Sequence, residues 1–209
     1  MRKLFSLVIM LSFLLMLVNC EPLTNAPADE EPEDEEVTYA IGDTGPSGVG
    51  IVFYITDGGL HGLEVAPEDQ SAGTNWSNVQ DAFVNGVSAL PADIGTGAAN
   101  TAAIIGQGGH TASAAQLCDD YAGGGKTDWY LPSENEMDEL YKITMGDPAE
   151  NEHVSAVSEL DYRNLGMSVW YWTSTETSAS NAETRQFEWS GSGGRAKSSS
   201  YRVRAIRSF

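Results

Sequence analysis

The stretch that decides the fold is Asp128-Trp129-Tyr130-Leu131-Pro132-Ser133-Glu134-Asn135-Glu136-Met137-Asp138-Glu139-Leu140-Tyr141. It reads as a short aromatic strand that stops at a proline and turns directly into a helix. Ser133 and Glu136 have the Ser-x-x-Glu spacing of a capping box, in which each side chain satisfies the other's orphan amide. Leu131 lies close to the staple position, ready to pack on the first helical turn. Met137, Leu140 and Tyr141, with Thr144 beyond them, recur at three-and-four spacing and predict one apolar helix face. Glu134, Glu136, Asp138 and Glu139 are expected to face water and to favour the positive helix start.

Working outward, strand signals lie on both sides of this helix. Val49 to Thr56 is apolar and β-rich, and a turn at Asp57-Gly58-Gly59 returns the chain as Leu60 to Ala66, a hairpin. Pro67 to Ser77 reads as a loop with Trp76 packing under it. Ala98 to Gln107 and Thr111 to Tyr121 read as two alanine-rich helices, each stopped by glycines. Beyond the central helix, 145–167 is polar and looped apart from a short helix near Val154 to Leu160. Val169 to Thr175, Thr184 to Trp189 and Ser199 to Phe209 are strands, the last two joined through Ser190-Gly191-Ser192-Gly193-Gly194. Trp170 and Trp172 share one strand face, and Tyr201, Val203 and Ala205 alternate with Arg202, Arg204 and Ile206. Strands at both ends with two to three helices between them give an α+β domain: one mixed or antiparallel sheet with its terminal strands paired.

The first 20 residues have the parts of an export signal: Arg2 and Lys3, an apolar run from Leu4 to Val18, then Asn19-Cys20. The run is short of the roughly 20 residues that span a bilayer. Leu17-Val18-Asn19-Cys20 resembles a bacterial lipobox, whose cysteine is lipidated. Asn19 departs from the Gly, Ala or Ser usual there and leaves ordinary signal cleavage as the alternative. Residues 21–38 hold eight acids, three prolines and no base. Such a segment buries too little apolar surface to order itself, and self-repulsion extends it past the ~25 Å of a flexible coil of that length. It is expected to act as a tether between a lipid on Cys20 and a domain at residues 39–209.

Without Arg2 and Lys3 the chain keeps nine basic and thirty acidic residues, a net −21, and all nine bases follow position 125. That charge argues against nucleic acid or anionic lipid as the main partner. From Glu183 to Phe209 the sign reverses, with Arg185, Arg195, Lys197, Arg202, Arg204 and Arg207. Two readings stand there, pairing with the acidic half or an anion-binding patch. Cys118 has no partner once Cys20 is lipidated and reads as a small buried hydrophobe.

Several motifs fail on inspection. Gly125-Lys126-Thr127 ends like a phosphate-binding loop, but Asp120 stands where the first glycine belongs, and the helix-to-strand order is reversed. Asp43-Thr44-Gly45 has the aspartic-protease triplet without a second copy. Three collagen-like triplets from Gly42 are too few for a triple helix. His61, His110 and His153 are scattered, so no zinc site or other cofactor is expected. Asp119, Asp120 and Asp128 invite a calcium site or, with a histidine, a hydrolase centre; a solvated acidic helix end is the simpler reading. Trp170, Tyr171 and Trp172 can stack on sugar rings if exposed, or fill a core.

Ile41-Gly-Asp-Thr-Gly-Pro46, Gly50-Ile-Val-Phe-Tyr54, His61-Gly-Leu-Glu-Val-Ala66, Ala99-Asn-Thr101, Ala115-Gln-Leu-Cys118, Asp128-Trp-Tyr-Leu-Pro-Ser133, Tyr171-Trp-Thr-Ser-Thr-Glu176 and Tyr201-Arg-Val-Arg-Ala-Ile-Arg207 resemble, in order, the Lcl C-terminal domain family over about residues 40–209. The series is also similar to the Fibrobacter major paralogous domain. The resemblance implies a secreted or surface α+β domain of C-type-lectin-like build, often carried by lipoproteins, with no catalytic residues to map. The adhesin that names the family binds sulfated polysaccharide through a trimeric domain; the acidity of this chain opposes such a ligand. The expectation is a lipid-anchored, non-catalytic module of the bacterial cell envelope that recognises a glycan or an extracellular protein. Trp170, Trp172, Arg202 and Arg204 are its candidate contacts, and a homotrimer is one implied assembly. The alternatives are an envelope hydrolase with an acidic site and a structural lipoprotein that assembles with its own copies.

Overall fold

The capped helix after Pro132 is the element from which the rest can be placed. The structure, a computed structural model, describes residues 36–145, 167, 169–187 and 191–209. The expected signal, most of the tether and the short helix near Val154 to Leu160 lie outside the described residues. In chain order the described elements are β1 (Ile51–Thr56), β2 (His61–Val65), β3 (Ser71–Thr74), α1 (Gly97–Ile105), α2 (Ala114–Asp119), α3 (Glu134–Met145), β4 (Trp170–Glu176), β5 (Asn181–Gln186), β6 (Ser192–Ala196), β7 (Tyr201–Val203) and β8 (Ile206–Ser208). This is the expected α+β architecture, with the strands in two sheets rather than one.

The first sheet is β1-β2-β8 and the second β3-β7-β4-β5-β6. All described pairings are antiparallel except β4 with β7. The N-terminal hairpin pairs with the final strand, Leu63 facing Ser208 and Val65 facing Ile206. The terminal strands therefore meet as expected.

The single expected strand from Ser199 to Phe209 breaks in two. Arg204 and Ala205 cross from one sheet to the other around the loop at Asp69 and Gln70. Arg204 donates to Asp69 and, at 2.9 Å, to the Ala66 carbonyl, while the Ala205 amide donates to the Gln70 side chain. Val203, Arg204, Ala205 and Ile206 are all buried, so the alternation read from sequence stops at Val203. Two strands were missed. β3 lies inside the stretch read as a loop, and β6 is the glycine-rich joint. Neither carries the β-branched alternation that marks a strand, and both are edge strands held by ladders to β7 and β5. The second helix is shorter than expected, with Ser113 as its N-cap accepting from the Gln116 amide at 2.9 Å.

Two apolar cores flank β4. Tyr171 points into one, with Phe53, Val65, Met137, Leu140, Tyr141 and Phe187. Trp172 points into the other, with Trp76, Trp129, Leu131, Ile104, Cys118 and Val203. The capping box at the start of α3 forms as read. The Ser133 amide donates to Glu136 Oε2 at 2.7 Å and the Glu136 amide to Ser133 Oγ at 3.3 Å. One expectation is corrected here: Glu136 does not face water but is fully buried. Its carboxylate reaches back past the cap and accepts the Gly95 amide at 2.8 Å. It thereby ties the loop before α1 to the start of α3.

Candidate functional site

The glycine-rich lead-in before β1 is a cradle for a buried carboxylate. Glu64 on β2 is fully buried and accepts Ser47 Oγ–H at 2.7 Å and Arg207 Nη1–H at 2.9 Å. A Cβ placed on Gly45 would stand 2.2 Å from Glu64 Oε2, and on Gly50 2.6 Å. The Asp43-Thr44-Gly45 triplet is thus part of a turn folded over Glu64.

Five of the six cations after Glu183 are ion-paired with acids, and Arg195 lies over the Trp170 ring. Arg185 pairs with Asp138 at 3.0 Å, Lys197 with Glu176 at 2.6 Å, and Arg202 and Arg204 both with Asp69 at 2.7 Å. Arg207 bridges Glu64 and Asp128. Lys197 and Glu176 are wholly buried, and the ammonium also lies 4.7 Å from the centre of the Trp76 ring.

Of the four candidate contacts, Trp172 and Arg204 are interior. Trp172 Nε1–H donates to the Thr74 carbonyl at 2.9 Å, and Arg204 is 1% exposed. Trp170 is half-buried, with the Arg195 guanidinium 4.6 Å over its ring and Tyr201 at 6.4 Å. Arg202 is partly exposed but lies beside Tyr171 in the β4–β7 register. Successive side chains alternate across a strand. Trp170 and Trp172 therefore share one face, with Tyr201 between them, and Arg202 is on the other. The tryptophans and the two arginines do not build one surface.

Two of the three acids proposed for calcium or hydrolysis have separate partners. Asp128 pairs with Arg207, which holds its carboxyl below the ordinary range, and Asp120 accepts from the Gln116 side-chain Nε2–H at 2.9 Å. Among the described residues no group of three His, Cys, Asp or Glu side chains is placed to hold a metal ion. Cys118 is fully buried, and burial, then Asp119, pushes its thiol well up.

Sequence reasoning missed a cleft of about 240 Å³ where the first sheet meets the loop before α1. Tyr54, His61, Tyr130 and Phe209 line its walls, with Thr56 and Ser208 hydroxyls among them and Ile94 and Ala98 across the mouth. Ile94 is 41% exposed, an apolar rim open to solvent. Phe209 packs on Gly62, where a Cβ would come within 2.8 Å of the ring, and edge-on against Tyr39. Tyr130 is nearly buried, and desolvation, then the nearby Glu136 carboxylate, raises its phenol. His61 was the only one of these residues singled out by chemistry in the sequence. Tyr54 arrives through the β1–β2 hairpin, Ser208 and Phe209 through the β2–β8 pairing, and Tyr130 through its bridge to Ile206, contacts whose register no local pattern announces. A second, shallower cavity of about 310 Å³ runs between Glu68, Asp69, Gln70 and Asp120, Tyr121.

Comparison with curated proteins finds no match. Among solved structures, a fimbrial protein from Bacteroides ovatus ATCC 8483 is similar with a TM-score of 0.53 and 15% sequence identity, over 76% of this chain and 43% of that one. At that identity the likeness concerns the fold, and this chain spans less than half of the fimbrial protein's length. The sequence profile of the Lcl C-terminal domain matches residues 66–207, from the end of β2 into β8 and through every helix described above. The chain belongs to the Lcl C-terminal domain family.

Proposed function

We propose that this chain is a non-catalytic binding module of the bacterial cell envelope, exported and held by a lipid on Cys20, that recognises a glycan or a surface protein. The observation that carries the reading is the cleft of Tyr54, His61, Tyr130 and Phe209, concave and mostly apolar with a few polar groups, as ligand sites are. Family membership and the fold shared with a fimbrial protein support a surface location. The capture of Asp128 by Arg207 supports binding over hydrolysis, since a carboxylate held in an ion pair is a poor proton carrier.

The purified full chain is tested on immobilised glycans and extracellular-matrix proteins. Saturable binding that Cys20→Ser leaves intact supports the module; no binding by a folded sample at high micromolar concentration ends it. Fatty-acid labelling that disappears in Cys20→Ser tests the anchor, and sedimentation separates monomer from trimer. Arg202→Ser is a cleaner test of an anion patch than the Arg202, Arg204 pair, because removing Arg204 strips a buried partner from Asp69.

A further inference from the structure

We propose that the cleft takes one uncharged sugar ring and discriminates against sulfated and uronic sugars, an inference that rests on the binding-module reading and narrows it. Size is the first argument. About 240 Å³ lies below the roughly 300–1,000 Å³ of drug-sized pockets, a volume that suits one sugar ring of a glycan. The second is surface chemistry. Tyr54 and Phe209 line the cleft, and aromatic rings attract the C–H face of a pyranose through their negative quadrupole. Thr56 and Ser208 hydroxyls and the His61 imidazole can each donate or accept, the match for a sugar hydroxyl that does both.

Charge is the third. Among the described residues no lysine or arginine lines the cleft. Arg207, next along β8 from Ser208, alternates to the other face and is held by Glu64 and Asp128. Behind the Tyr130 and Gly95 wall lies the carboxyl of Glu136, which accepts the Gly95 amide and stands 3.5 Å from the Tyr130 hydroxyl. A sulfate or carboxylate entering here finds no fixed cation among the described residues and approaches an acid, and like charges repel.

The test is a panel of neutral, sulfated and uronic-acid-terminated oligosaccharides presented to the full chain, with methyl hexopyranosides as competitors. The wild type is expected to bind neutral termini. Binding is expected to change less than about threefold between about 50 and 500 mM salt, since no ion pair is made. Ala98→Trp, at an exposed position on the cleft mouth, is expected to weaken binding at least tenfold while circular dichroism and thermal unfolding stay as in the wild type. Thr56→Ala should weaken it by a smaller factor. A preference for sulfated or uronic termini, with steep salt dependence, overturns the proposal. So does neutral-glycan binding that ignores Ala98→Trp. Binding to a matrix protein alone overturns this inference but leaves the module reading standing, whereas a folded chain that binds nothing removes both.

Discussion

Glu183 gives the sharpest handle on stability. It sits on β5, 5% exposed, facing Glu134 and Asp138 of α3, with Arg195 of β6 and the Gly193 amide as its favourable neighbours and Arg185 engaged by Asp138. Burial, then repulsion from Glu134, pushes its carboxyl from an ordinary 4.5 up to about 7. The folded chain therefore holds a proton that the unfolded chain has released between those values. Folding stability from this group is complete below about pH 4.5 and falls as pH rises towards 7. Each tenfold in proton affinity is worth about 1.4 kcal/mol, so the ceiling is roughly 3 kcal/mol. Screening through the partly exposed Asp138 reduces this to about 1–2 kcal/mol. Glu183→Gln removes the charge and keeps an acceptor for the Gly193 amide. In urea titrations the variant should match the wild type near pH 4.5 and exceed it by about 1–2 kcal/mol at pH 8, a rise of roughly 2–8 °C in Tm. A variant whose difference from wild type is the same at both pH values, or one less stable at pH 8, refutes the reasoning.

Breaking the buried Lys197–Glu176 pair by Lys197→Met should cost about 3–5 kcal/mol in denaturant unfolding, because Glu176 is left charged and unpaired; adding Glu176→Leu should recover a good part of that loss. Ser133→Ala removes the α3 cap and should cost about 1 kcal/mol, measured as a lower urea midpoint with an unchanged m-value. Gly45→Ala places a methyl against Glu64 and should destabilise by about 1–3 kcal/mol, more than the same change at exposed Gly108, in parallel thermal melts. Cys118 should resist thiol reagents in the native state and react at the rate of unfolding, so fast labelling without denaturant would contradict its burial.

The local grammar of this chain was readable because it is written in neighbouring residues. The Ser133–Glu136 box, the apolar face of α3, the β1–β2 turn and the buried character of Cys118 each depend on spacings of a few positions, where steric and hydrogen-bonding rules act directly. The ordered motifs likewise identify the family. Long-range choices were not written that way. Glu136 looks solvated on a helical wheel and becomes buried because the loop at Gly95 arrives to donate to it. Ser71–Thr74 and Ser192–Ala196 become strands because β7 and β5 offer them ladders, despite weak propensity of their own.

Sequence by itself thus determined the α+β class, the pairing of the chain's terminal strands as an expectation, met by β2 of the N-terminal hairpin with β8, the capped helix and the export-like N-terminal composition. Only the tertiary structure decided where the charged and aromatic side chains finish. It split the last strand at Arg204 and sent Trp170 and Arg202 to opposite faces of one sheet. It also gathered Tyr54, His61, Tyr130 and Phe209 around one cleft. The physical reason is that strand register and sheet exchange are set by contacts across more than a hundred positions of sequence. A one-residue change of register reverses every face.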